Sequence, residues 1–541
     1  MQLQDLSYTL NNEHIKYDLF GHQIDLSIEM FSIENVYTMN RGSLSVNGNN
    51  YSSNEIVWGD TEVVPHSMME FSLNESKDNV SFILKGQLNQ PVISMKLRLE
   101  DLPLGTLLSL SENDLDITEY GHLFRYPEGW RSLSYPLLTF KLKDGKYLFI
   151  KVMHQDVIPV SFYLRKTGED KMRVDVTIEE KAHQLKNDFT SCPIEVGIVG
   201  KIEDVYEDYS EHIKKTFHLV DYKDNKNIPN WMKDVSLVII MHMEAFTGHI
   251  FHTYEQALND VKELTKYIDG KRILVYIAGW EGRYYYKYGD YTPDERLGGA
   301  IGLKKMIDGM HELGAHVLAM VGMNMANIKF FSHEEVKAME YVTARGGLFR
   351  NGSVDWEGSH SYDYSSLRMF NPGAHKWQDH LFNEIKRSSL DFDFDGVFLD
   401  IAAAYVNDQR YPVYDGLKEL VKRIKTIKPD YLVAGEGYYD AISAVIDLVQ
   451  GGHTEGYMNY HDRVYAPLFT RYSREFAHLC LGDLSRGSSG VHEQGTNTDM
   501  RTPFREGIIP TLTLVEDTLI KAKDKVLEVI EEAKEYAKRY L

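Results

Sequence analysis

Two carboxylic acids stand at the ends of consecutive apolar runs, Asp400 in Phe394-Asp395-Gly396-Val397-Phe398-Leu399-Asp400 and, 36 positions on, Glu436 in Tyr431-Leu432-Val433-Ala434-Gly435-Glu436-Gly437. Small residues follow the first, Ile401-Ala402-Ala403-Ala404, and glycines flank the second. If the runs are neighbouring parallel strands, alternation puts Phe398 and Asp400 on one face. A strand spacing of roughly 4.8 Å then makes the carboxyl separation of roughly 5 to 5.5 Å used in double displacement at a sugar's anomeric carbon reachable. In that chemistry one carboxylate stays ionised and attacks, while the other keeps a raised pKa and protonates the leaving oxygen. Asp400, shorter and on the strand, suits the nucleophile; Glu436, longer and against a turn, suits the proton donor. As ordinary structure, the same acids would cap a helix or bridge a loop.

The segment Gly279 to Tyr291, GWEGRYYYKYGDY, gathers Tyr, Trp, Arg and Asp side chains in one loop. Rings stack on a pyranose face and charged groups bind hydroxyls, so Trp280, Arg283, Asp290 and Tyr291 are expected to contact substrate, unless the loop simply packs on the N-terminal region. Asn324, after a third strand, and His453 and Glu455 in Gly452-His453-Thr454-Glu455-Gly456 are further candidates. Two triplets, His242-Met243-Glu244 and His453-Thr454-Glu455, raise a metal-dependent hydrolase as an alternative. The dense histidine cluster expected of such a centre is missing from the sequence, so no metal and no cofactor are expected. A carbohydrate-binding protein without catalysis would keep the aromatic loop but has no need of paired acids.

The elements that must position these residues fall into two halves. From about Ile24 to Val199 apolar residues alternate, as in VSFILKGQL and MRVDVTIEE, with turn pairs Asn47-Gly48 and Asp144-Gly145 between runs. This predicts an antiparallel β-sandwich. After Trp231, short apolar strands alternate with amphipathic helices, the pattern of a parallel sheet. Five strand and helix units are legible, ending in YLVAGEG and a helix over DAISAVIDLV, and strands six to eight are placed within 453–514. The segment Ala344 to Asn371 is long enough to be a lid or binding loop. The expected architecture is multidomain: a β-sandwich domain over 1–225, a (β/α)₈ TIM barrel over 230–515, and a C-terminal amphipathic helix over 516–541 that offers a surface to the barrel or to a second copy in a homo-oligomer. In such a barrel, chemistry belongs at the C-terminal ends of the strands, where Asp400 and Glu436 stand.

Lys and Arg total 59 against 80 Asp and Glu, a net charge of −21, which disfavours nucleic acid and anionic lipid as partners. No apolar stretch approaches the length of a membrane span, and the N-terminus lacks the pattern of a secretory leader, so a cytoplasmic location is expected. Two cysteines, Cys192 and Cys480, cannot build a disulfide framework.

The strand ends DGVFLD at Asp400 and VAGEG at Glu436 resemble the retaining α-glycosidases of the α-amylase and endo-α-N-acetylgalactosaminidase type, whose nucleophile Asp ends strand four and whose acid/base Glu ends strand five. GWEGRYYYKYGDYTPDERLGG followed by GLKKMIDGMHELGAHVLAM also looks like an uncharacterised bacterial family beside these enzymes, in which a β-sandwich precedes the barrel. The resemblance spans Trp231 to Tyr460 and implies hydrolysis of an α-glycosidic bond with retention, on an α-galactoside, α-glucoside or α-N-acetylgalactosaminide of an oligosaccharide or simple glycoside. Phe398 stands where the amylase pattern has Arg, and that pattern's third acid has no secure counterpart. Both departures favour the galactosaminidase side. In α-galactosidase-like barrels the acid follows strand six, which nominates Glu455 in place of Glu436.

Overall fold

The computed structural model describes residues 15–40, 42–58, 62–108, 115–127, 133–245, 248–283, 285–348, 366–451, 471–477 and 508–541. His453, Glu455 and Cys480 lie outside the described residues.

Alternation dictates the N-terminal half. In Asn79–Val92 the residues Val80, Phe82, Leu84 and Leu88 are buried while most of their neighbours face outward. Among the described residues nine such strands form one antiparallel sheet, centred on His22–Phe31, Ser94–Pro103 and Lys171–Glu179. Ten form a second, in which Asn79–Val92 pairs with Met68–Glu75, Lys186–Thr190 and Ile194–Val199. The sheets pack face to face. At Gly86 of the second sheet a Cβ would collide with the sulfurs of Met30 and Met95 from the first, so only glycine fits where the layers touch. Helix Ile202–Thr216 closes this half, burying Val205, Tyr206, Tyr209 and Ile213 on one stripe.

From Leu237 the strands of the main sheet are parallel and buried on both faces, and therefore read as unbroken apolar runs such as Leu237–His242, while Met325–Asn327 and Leu367–Met369 pair antiparallel outside it. In chain order they are Leu237–His242, Ile273–Ala278, His316–Gly322, Gly396–Asp400, Leu432–Glu436, Leu448–Gly451 and Arg474–Ala477, then Ile508–Ile509 and Thr511–Leu514. Each pairs with the next, except across Pro510: Ile508–Ile509 pairs with the seventh strand and Thr511–Leu514 with the first. The sheet therefore curls into a barrel-like form whose ends meet through one proline, a residue that cannot donate to a ladder. Its interior is filled by rings: Tyr276 stacks on Phe398 at 4.5 Å and meets Phe476 at 5.9 Å, and Gln450 donates its amide to the Tyr276 hydroxyl at 3.1 Å. Phe398 thus fills the floor under Asp400. Helices Tyr254–Leu264, Gly299–Glu312, His375–Phe392 and Val413–Ile424 follow the first four of these strands. Among the described residues no helix is long and apolar enough to cross a membrane.

Two expectations require correction. DAISAVIDLV is not a helix: Asp440–Ala444 is a short 3₁₀ turn and Leu448–Gly451 is already the sixth strand, upstream of the 453–514 window. A short apolar run suits either form, and pairing with Leu432–Glu436 decides it. The C-terminal segment is two helices, Thr518–Lys521 and Lys523–Tyr540, broken at Ala522. The longer one turns Val526, Val529, Ile530, Ala533 and Tyr536 inward, so its apolar stripe is already spent within the chain.

Candidate active site

The register sets the geometry. Phe398 pairs with Ala434 and Leu399 with Gly435, so Asp400 and Glu436 finish level on adjacent strands. Gly435 permits the close approach: a Cβ there would lie 2.8 Å from the Ala402 Cβ. Gly437 takes φ +84°, the left-handed turn that ends the fifth strand.

Both acids are buried, Asp400 at 1% and Glu436 at 2% exposure. The Tyr288 hydroxyl donates to Asp400 Oδ2 at 2.7 Å. The Ile401 N–H donates to Glu436 Oε2 at 2.9 Å, and the two carboxyls are themselves in hydrogen-bonding contact. Burial pushes Glu436 up to about 7, against the lowering pull of Asp400 and the Ile401 N–H. A value of about 7 leaves Glu436 partly protonated near neutrality.

Ile401 is the residue bent to make this contact. Its φ of +58° is a left-handed conformation that costs a β-branched residue of order 1–3 kcal/mol. The bend turns its N–H onto Glu436, while its carbonyl accepts from Asn324 Nδ2 at 3.3 Å. Met323 N–H bonds the Asp400 carbonyl at 3.2 Å and Ala403 N–H the Glu436 carbonyl at 2.9 Å, which ties the third, fourth and fifth strand ends together.

The loop after the second strand does something other than expected. Trp280 and Tyr291 are fully buried. The Trp280 indole donates to the Met320 carbonyl at 3.0 Å, and the Tyr291 hydroxyl accepts from Gly322 N–H at 2.8 Å. Neither ring is open to a sugar, because both wedge the loop onto the third strand, as Tyr288 does on its way to Asp400. Asn324, also fully buried, braces the Ile401 turn instead of reaching outward. Arg283 lies 4.6 Å over the Tyr286 ring, and Asp290 accepts from Thr292 at 2.8 Å; both remain partly exposed. Glu281 in the same loop is wholly buried with neither oxygen hydrogen-bonded, and burial pushes it up to about 8. Glu244 is paired with Arg296, which also holds Asp294 at 3.1 Å, so the carboxylate of the His242-Met243-Glu244 triplet is committed to linking the first two loops. Among the described residues no three His, Cys, Asp or Glu side chains converge as metal ligands.

Sequence reasoning passed over Tyr288, the Ile401 turn and Asp440. Tyr288 was one of several tyrosines, and a backbone bend in an isoleucine leaves no compositional trace.

This architecture, with paired acids at adjacent strand ends, is an α-glycosidase-like fold. An α-N-acetylgalactosaminidase from Bifidobacterium bifidum in complex with GalNAc superposes with a TM-score of 0.67 at 11% identity, over 98% of this chain and 91% of the other. Its ligand-free form gives 0.65 at 10% identity, over 97% and 91%. An α-galactosidase from Thermus thermophilus in complex with p-nitrophenyl α-D-galactopyranoside gives 0.52 at 11% identity, over 96% and 94%. Residues 201–476 match the family described as a domain of unknown function, DUF6259, and the chain belongs to that family. No curated protein sequence matches it.

Proposed function

We propose that the chain is a glycoside hydrolase that cleaves an α-glycosidic bond with net retention, on a (β/α)₈ barrel whose eighth strand is split at Pro510, behind an N-terminal sandwich over 1–225. The carrying observation is the Asp400 and Glu436 pair: level on neighbouring strand ends and buried, with burial pushing Glu436 up to about 7. Tyr288 donates to Asp400 Oδ2, which favours the charged form that a nucleophile needs, and burial raises Glu436 as a proton donor needs.

In the first step Asp400 Oδ bonds to the anomeric carbon, the bond from that carbon to the leaving oxygen breaks, and Glu436 delivers its proton to that oxygen. In the second, Glu436 takes a proton from water, the water oxygen bonds to the anomeric carbon, and the ester to Asp400 breaks. Placement on adjacent strand ends, roughly 4.8 Å apart, supports retention over inversion, which needs roughly 6.5 to 9.5 Å for an intervening water. The likeness to enzymes crystallised with GalNAc and an aryl α-galactoside supports an α-linked galactose or N-acetylgalactosamine in the site. Arg283 and Asp290, partly exposed at the strand ends, are the contacts we assign to its hydroxyls. The test is the anomer first released from an aryl α-glycoside, followed by proton NMR: α product supports the double displacement, and β product overturns it.

A further inference from the structure

Asp440, four residues beyond Glu436, is wholly buried and is claimed by three separate parts of the N-terminal half. The Tyr126 hydroxyl, from strand His122–Tyr126, donates to Oδ1 at 2.5 Å. The Tyr209 hydroxyl, from helix Ile202–Thr216, donates to Oδ2 at 2.5 Å. His154, just past strand Tyr147–Val152, lies with Nε2 at 3.1 Å from Oδ2 while its Nδ1 faces the Asp156 carbonyl at 2.9 Å, so both ring nitrogens face acceptors. The Asp440 N–H in turn donates to the Ser134 carbonyl at 3.0 Å. The Ala441 N–H adds one local donor to Oδ1 at 2.7 Å. A carboxyl that no solvent reaches, held otherwise by donors from across an interface, fixes its own backbone tightly, because losing any donor leaves a buried oxygen short of a partner.

Only Gly437, Tyr438 and Tyr439 separate this anchor from Glu436. Gly437 N–H is tied to the Gln450 carbonyl at 2.9 Å. Tyr439 meets Tyr126 edge-on at 6.3 Å, and Tyr438 meets Tyr135 at 6.1 Å. A three-residue span held at both ends and packed along its length leaves the fifth strand end little freedom.

We infer that the N-terminal sheets are a working part of the active site, holding Glu436 in place and dry through Asp440, which is a positioning residue. The inference rests on the proposed role of Glu436. It concerns the side chain's environment, however, and can be read without any substrate. Loosening the anchor lets water reach Glu436, and a hydrated carboxyl titrates nearer its ordinary value.

The experiment uses the full chain with Asp440→Asn and, separately, the Tyr126→Phe/Tyr209→Phe double variant, which removes only two hydroxyls and keeps the test open if the first fails to fold. His311→Gln, which cuts the 2.9 Å pair with Asp395 at the far end of the fourth strand, serves as a control for general destabilisation. The readout is the protonated-carboxyl infrared band of Glu436, isolated by subtracting the same protein carrying Glu436→Gln, followed across pH. The expected result is a midpoint near 7 in the parent and control, falling by a unit or more in either Asp440-anchor variant. A midpoint that stays put in a folded anchor variant, or falls equally in the control, overturns the inference. A wild type with no glycosidase activity whose anchor variants still shift the midpoint would sink the functional reading and leave the tether from Asp440 to Glu436 standing.

Discussion

Glu436→Gln should make the folded protein more stable at alkaline pH, and by a calculable amount. In the unfolded chain this carboxyl loses its proton near 4.5, and in the folded chain burial holds the proton to about 7. Between those values the folded state binds more protons, so the wild type loses stability as pH rises through that window and loses no more above it. A shift of about 2.5 units at about 1.36 kcal/mol each comes to about 3 kcal/mol. Glutamine cannot ionise and escapes the loss. Glu281 and the other titrating groups outside the Asp400 and Glu436 pair are common to both proteins and cancel in the difference. At about 2.1 cal/mol/K per residue, the melting advantage of the variant at pH 8 over that at pH 4.5 is about 3 °C if the whole chain melts as one unit. It is about 5 °C if the parallel-sheet half melts alone. Calorimetry of both proteins from pH 4.5 to 9 measures it. A difference that stays flat across pH, or a wild type that gains on the variant as pH rises, would refute the claim that Glu436 is a buried acid with a raised pKa.

The other predictions concern its neighbours. Tyr288→Phe removes the donor to Asp400; a hydrogen bond to a charged group is worth about 1.5–3 kcal/mol, so kcat/KM on an aryl α-glycoside should fall about 10- to 150-fold, as steady-state kinetics will show. Ile401→Gly relieves a left-handed isoleucine and should hold or raise the melting temperature despite losing a large side chain, whereas a loss of about 2–5 kcal/mol, as for an unstrained core position, would deny the strain. Glu281→Gln follows the same sign as Glu436→Gln over a longer window: the wild type should lose stability between pH 4.5 and about 8, and urea unfolding at pH 9 should find the variant the more stable.

Much of this was legible because strand burial leaves a plain signature. Apolar runs ending in a lone acid can be strand ends facing a barrel mouth, and the spacing from Asp400 to Glu436 is one helix plus one strand, which the register turns into adjacency. The sixth strand was misread because Val445 to Val449 is too short for periodicity to separate helix from strand. Trp280 and Tyr291 were read as a sugar platform because an aromatic loop looks the same whether its rings face a ligand or the third strand; only the Met320 and Gly322 backbone groups they satisfy tell the two apart. Asp440 was invisible for a different reason: its partners lie 231 to 314 positions away, in the other half of the chain.

The central claim is that Asp400 and Glu436 hydrolyse an α-glycoside. Its most direct test is nitrophenol release from matched aryl α- and β-galactosides, glucosides and N-acetylgalactosaminides by the wild type and Asp400→Asn, with EDTA present. The account predicts turnover of an α-glycoside that EDTA leaves intact and that falls at least a thousandfold in Asp400→Asn. Turnover confined to β-glycosides, or an Asp400→Asn protein as active as the wild type, would contradict it.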